Sequence, residues 1–143
     1  MPKVSVSVTA PADPAEVWQL VTDLPRTPEW NSMHQGFVGD LPPALEAGST
    51  WRQKVKLMGM PAEMAWRVTT ADVPHHFEAA GDGPMGVNAK NRFLIEPGPQ
   101  GSKVTYEVEF AGPAINGPMA AMLEKQAGSA ARQSLERLAS LLG

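Results

Sequence analysis

The sequence contains no cysteine. That absence excludes disulfides, thiolate metal sites, cysteine nucleophiles and iron–sulfur clusters together. Long apolar runs are missing as well, and nothing approaches the ~20 residues that span a bilayer. The N-terminal MPKVSVSV alternates in polarity, without the continuous apolar core of a signal peptide. The expectation is a cytoplasmic protein with no membrane insertion. Nor is positive charge in excess. The net charge is −3 and the isoelectric point about 5.6, so the global field does not favour nucleic acid.

Signatures of chemistry are equally sparse. There is no Ser/His/Asp set, P-loop, GxGxxG or carboxylate pair. His34, His75 and His76 show neither His-x3-His nor His-Glu-x-x-His spacing, and adjacent strand residues such as His75 and His76 point to opposite faces. These patterns lead us to expect no catalytic set, no metal site and no cofactor. Asp13, Glu16 and Asp23 are accounted for as helix-start residues.

What is present is alternation. The 143 residues suit one domain spanning 1–143, a length able to bury roughly 68–70% of its unfolded surface. Fourteen prolines and thirteen glycines cut the chain at short intervals, as in a strand-and-turn protein. Residues 3–10 set Val4, Val6 and Val8 against Lys3, Ser5, Ser7 and Thr9, a half-buried strand. Asp13 can cap a short helix begun by Pro14, and Pro25 and Pro28 allow a second short helical segment ending near Trp30. Period two then returns over 33–40 (weakly), 49–57, 62–70, 76–81, 87–96 and 102–111, with 59–61 expected as the first hairpin connection. A final helix over 118–142 carries an apolar stripe through Met119, Met122, Leu123, Ala127, Ala130, Leu135, Leu138 and Leu142. Six consecutive strands on short turns must mostly pair antiparallel, and only the last helix is long enough to cover their apolar faces. The fold class is therefore α+β, a seven-stranded antiparallel sheet against a long C-terminal helix, with two short helices after strand 1.

Four polar residues fall on inward positions. Gln53 lies between Trp51 and Val55, Asn91 between Ala89 and Phe93, and Tyr106 between Val104 and Val108, while Gln126 sits beside the helix stripe. A buried amide without a partner costs roughly 1–3 kcal/mol. Such groups either bond one another, reach water in a cavity, or meet a ligand. A mostly apolar pocket with a few orienting polar groups is the usual anatomy of a small-molecule site. Its expected lining is Gln53, Val55, Met64, Trp66, Asn91, Phe93, Tyr106, Val108, Met119, Met122 and Gln126. Met58, Met60 and Met85 also fall at hairpin mouths, and methionine adapts to loosely specified shapes.

The opening strand, PADPAEVW at 11–18 and DLPRTPEW at 23–30, taken in this order, resemble the START-like (SRPBCC) superfamily, which holds polyketide cyclases, plant ligand-binding proteins of the birch-pollen-allergen type and lipid-transfer domains. The resemblance implies a helix-grip fold: a curved sheet wrapped around the last helix. KLMGMP at 56–61, GDGPMG at 81–86 and GPAINGP at 112–118 are similar to stretches of small actinobacterial toxins of type II toxin–antitoxin pairs. The implied function is binding of a lipid, isoprenoid or aromatic polyketide in an internal cavity, closed by 58–61, 81–86 and 115–119. One alternative is a cyclase or dehydrase using Tyr106, Asn91, Gln53 or His34 as weak acids or donors, although no inward Arg or carboxylate is present to help. Another is a toxin with a small antitoxin protein as partner. The implied strand order places Glu78, Glu107 and Glu109 among Arg67, Lys90 and Arg92 as a cross-strand charge ladder rather than an RNA-binding face. There is also no outward aromatic row on which bases could stack.

Overall fold

The computed structural model describes residues 3–57, 59–113 and 115–143; Met58 lies outside them. β1 (Lys3–Ala10) is followed by α1 (Pro14–Thr22), a 3-10 helix (Leu24–Glu29) and β2 (His34–Val38). Next come β3 (Thr50–Leu57), β4 (Met60–Asp72), β5 (His76–Asp82), β6 (Asn88–Gly98) and β7 (Gly101–Ala111), and last α2 (Gly117–Leu142). The strands form one antiparallel seven-stranded sheet in the order β1-β7-β6-β5-β4-β3-β2. The first hairpin is tighter than expected. Met60 already belongs to β4 and pairs with Leu57, so the connection is confined to 58–59.

Register turns the alternation into rows across the inner face. One row runs Trp51, Trp66, Gly81, Ala89, Phe110. The next runs Val68, Ala79, Asn91, Val108, Val4. A third runs Ala71, Phe77, Phe93, Tyr106, Val6. The first row is large at its edges and small in the middle, so the sheet is hollowed there over β5 and β6. The third is aromatic throughout its centre and fills its space.

The short helices seal the aromatic end. Asp13 accepts a hydrogen bond from the backbone N–H of Glu16 at 2.9 Å, which fixes the start of α1. α1 buries Val17, Trp18, Leu20 and Val21. Trp18 meets Phe77 edge-on at 5.9 Å, and Trp30, after the 3-10 helix, meets Phe93 in the same way at 5.9 Å. α2 lies along β1, close enough that a Cβ on Gly128 would be 3.7 Å from Val4.

The buried stripe of α2 is Leu123, Ala127, Ala131, Ser134, Leu135 and Leu138. It is displaced from the expected one. Met119 and Met122 are 43% and 51% exposed. Met122 is rotated ~100° from the Leu123 line. In the first two turns, 117–122, Ala120 alone falls below the exposed range, so this end of the helix is little covered by the sheet.

On the outer face the charge ladder forms. Arg92 reaches Glu78 at 3.4 Å and Glu107 at 3.2 Å, and Lys90 stands opposite Glu109. Among the described residues no helix is long and apolar enough to cross a membrane, and no cluster of three His, Asp or Glu residues could hold a metal ion.

Candidate functional site

Over the hollow part of the sheet lies an internal recess. β3 contributes Gln53 and Val55, β4 Met64 and Trp66, β6 Ala89 and Asn91, and β7 Tyr106, Val108 and Phe110; Asn31 and Met33 close it from the loop before β2. Each strand side chain arrives by the period-two rule, since these positions share one face. The open space is small, about 30 Å³. That is room for little more than a water molecule, and it is narrower than the cavity expected from the sequence. The large side chains of Met33, Met64, Trp66 and Phe110 fold over the small centre and take up the volume.

Two close approaches shape the walls. A Cβ on Gly81 would lie 2.6 Å from Cε3 of Trp66, so the indole lies flat over β5 only because residue 81 is glycine. The turn after β5 presses on Met64 similarly: a Cβ on Gly83 would be 2.6 Å from its sulfur. Trp66 also stacks on Trp51 with centroids 6.4 Å apart. Tyr106 lies parallel to Phe93 at 4.4 Å, which makes Phe93 the support beneath the phenol rather than part of the lining.

The polar groups are unevenly satisfied. Gln53 Nε2 donates to Nδ1 of His34 at 2.7 Å. Burial lowers the pKa of His34, which favours the neutral ring that this bond requires. Tyr106 and Asn91 make no side-chain hydrogen bond among the described residues. The buried N–H of Trp66, like those of Trp30 and Trp51, also lacks a partner among the described residues. Burial pushes the Tyr106 hydroxyl far above its ordinary pKa, so it is a hydrogen-bond donor and a poor acid.

Outside the recess a second concavity of about 400 Å³ separates α2 from the end of β3. Lys56, Leu123, Gln126, Ala127 and Ala130 are among its walls, and Met33 lines both this cleft and the recess. The backbone at Met33 is pinned, its N–H donating to Asn31 Oδ1 at 3.0 Å and its carbonyl accepting from Lys56 N at 2.9 Å. Among the described residues Met33 is the one shared by the walls of cleft and recess. Beside it the loop is fastened to α2: Ser32 N donates to Ser134 Oγ at 3.0 Å, and both hydroxyls reach the Ala130 carbonyl.

Of the expected lining, seven residues meet around the recess: Gln53, Val55, Met64, Trp66, Asn91, Tyr106 and Val108. Gln126 belongs to the outer cleft, and Met119 and Met122 are exposed away from both. Met60 and Met85 are also mainly exposed. Asn31, Met33, Ala89 and Phe110 were not anticipated as lining. Phe110 was legible by parity; Asn31 and Met33 sit in a loop, where no periodicity points.

The sequence pattern of the family described as "Polyketide cyclase / dehydrase and lipid transport" matches residues 1–143. The chain belongs to that family. Among the relatives of this family member is the toxin Rv0910 of Mycobacterium tuberculosis (strain ATCC 25618 / H37Rv), 31% identical over 141 residues, covering 99% of this chain and 98% of that one. The uncharacterized protein Rv1546 of the same strain is 29% identical over the full length of both. A START superfamily protein from Mycobacterium smegmatis has the same fold, with a TM-score of 0.76 at 21% identity over 98% of this chain and 96% of that one. The helix-grip fold implied by the sequence is thus the fold of this family member.

Proposed function

We propose that this protein binds an apolar small molecule, of lipid, isoprenoid or aromatic polyketide type, in the recess between Trp66, Asn91 and Tyr106. The observation that carries the reading is that Tyr106 and Asn91 line this otherwise apolar recess and make no side-chain hydrogen bond among the described residues. Buried polar groups left unpaired are costly, and a ligand is one way to satisfy them. Access runs from the outer cleft past Met33. When that flexible side chain swings aside, the recess joins a concavity of about 400 Å³, within the range of small-molecule sites.

A thermal-shift screen against lipids, isoprenoids and aromatic polyketides tests this. A ligand at 100 times its Kd adds ~2.7 kcal/mol, which raises Tm by roughly 5–10 °C in a protein this size. A library in which no apolar compound raises Tm, with a crystal structure showing the wall groups bonded to one another, would end the proposal.

The full-length similarity to toxin Rv0910 favours a second reading, in which the protein arrests growth and a small antitoxin protein restrains it. Expression from a tightly controlled promoter checks it: unchanged growth, at protein levels confirmed by blotting, rules it out. A cyclase or dehydrase activity is the weaker reading. Among the described residues the recess has no carboxylate, Lys or Arg, and its phenol is a poor acid.

A further inference from the structure

The polar inventory of the recess narrows what it can hold. Tyr106 is 7% exposed, and its hydroxyl has no partner among the described residues. Asn91, one register step away across β6 and β7, brings an amide that is equally unengaged. The Tyr106 hydroxyl and the Asn91 amide are therefore the hydrogen-bonding groups on this wall without a side-chain partner among the described residues.

Among the described residues no formally charged side chain lines the same wall. His34 reaches the recess only through Gln53, and it is held neutral there. Arg52, Lys54, Arg67, Lys90 and Arg92 all project from the opposite face of the sheet. Lys56 stands in the outer cleft, beyond Met33. A carboxylate brought into the recess would lose its water and gain no counter-charge, the least favourable arrangement for an ion. A pure hydrocarbon would leave the donors unpaired.

Resting on the binding reading above, we infer that the recess selects uncharged apolar ligands bearing a hydrogen-bond-accepting oxygen, such as an aryl ketone, quinone or ester. It discriminates against both the corresponding carboxylate and the corresponding hydrocarbon. Tyr106 and Asn91 are the specificity-determining residues. The carbonyl meets the donors on this wall while the ring displaces Met33 and lies against Met64 and Val108.

Three naphthalenes of nearly equal size separate these contributions: 2-acetylnaphthalene, 2-naphthoate and 2-isopropylnaphthalene. Their Kd values for the full chain at pH 7.5 are read by quenching of tryptophan emission and by calorimetry. The ketone is expected to bind at least tenfold more tightly than either of the others. Tyr106→Phe, which keeps the ring stacked on Phe93, is expected to erase most of the preference over the hydrocarbon and leave hydrocarbon affinity unchanged. Equal binding of ketone and hydrocarbon, or naphthoate binding as tight as the ketone, overturns the selectivity and leaves the binding reading standing. Failure of all three to bind overturns the inference, and the thermal-shift library then decides the binding reading separately. The comparison within the unmodified protein decides the matter even if the variant does not fold.

Discussion

The indole of Trp66 lies across the backbone of Gly81, so close that a Cβ there would be 2.6 Å from the ring. This contact joins β4 to β5 and creates the hollow over which the recess forms. Gly81→Ala must push the indole away or spread the strands. Overpacking of this kind costs about 1–3 kcal/mol. We expect a fall in Tm on the order of 3–10 °C by calorimetry. The same substitution in a Trp66→Leu background should cost clearly less, because the two positions share one space. Additive losses would show that the contact is not what limits residue 81.

Ser134 holds the loop before β2 against α2. Its hydroxyl accepts from Ser32 N at 3.0 Å and donates to the Ala130 carbonyl at 2.7 Å. Ser134→Ala leaves the Ser32 N–H without that acceptor in a partly buried site, at a cost of about 1–2 kcal/mol. Chemical denaturation measures it. Hydrogen exchange should also quicken at Ser32 and Met33 before it does in the sheet, and a uniform change across the molecule would contradict the local role.

Among the described residues Met33 is the one that borders both the outer cleft and the recess. Met33→Ala should open the route between them. With 2-acetylnaphthalene as probe, stopped-flow fluorescence is expected to show association at least several-fold faster, and Met33→Phe should slow it. Association rates indifferent to the size of residue 33 would mean that ligands enter elsewhere.

Burial of His34 beside Gln53 makes stability depend on pH in a defined direction. Burial lowers the pKa of His34 in the folded chain, whereas the unfolded chain keeps the ordinary value of about 6.5. Between the two values the unfolded state binds more protons, so stability falls as pH falls. The contribution is fully present above about pH 6.5 and is lost as pH drops through the folded value. Tm measured from pH 7.5 to 5.5 should decline more steeply for the unmodified protein than for His34→Gln, which cannot titrate. Parallel declines would assign the slope to other groups.

Much of the recess was readable because a strand has only two faces. Once Trp51 and Val55 point inward, Gln53 must do so, and the same step places Asn91 and Tyr106. The α2 stripe was harder. Met119 and Leu123 lie on one line by helical periodicity, yet only Leu123 is buried, because burial also requires a neighbour and the first two turns largely lack one. The hollow itself was not visible along any one strand, since it comes from Gly81 and Ala89 falling opposite Trp66 and Phe110 across four strands.

The linear order of residues was enough to set the strand faces, the turns, the capped helix at Asp13 and the long terminal helix. These depend on local periodicity and backbone chemistry within a few positions of each other. How nearly the interior closes, and that Met33 borders both recess and cleft, were decided only by tertiary packing. Those features depend on distances between side chains far apart in the chain, and volume left over after packing belongs to no single segment.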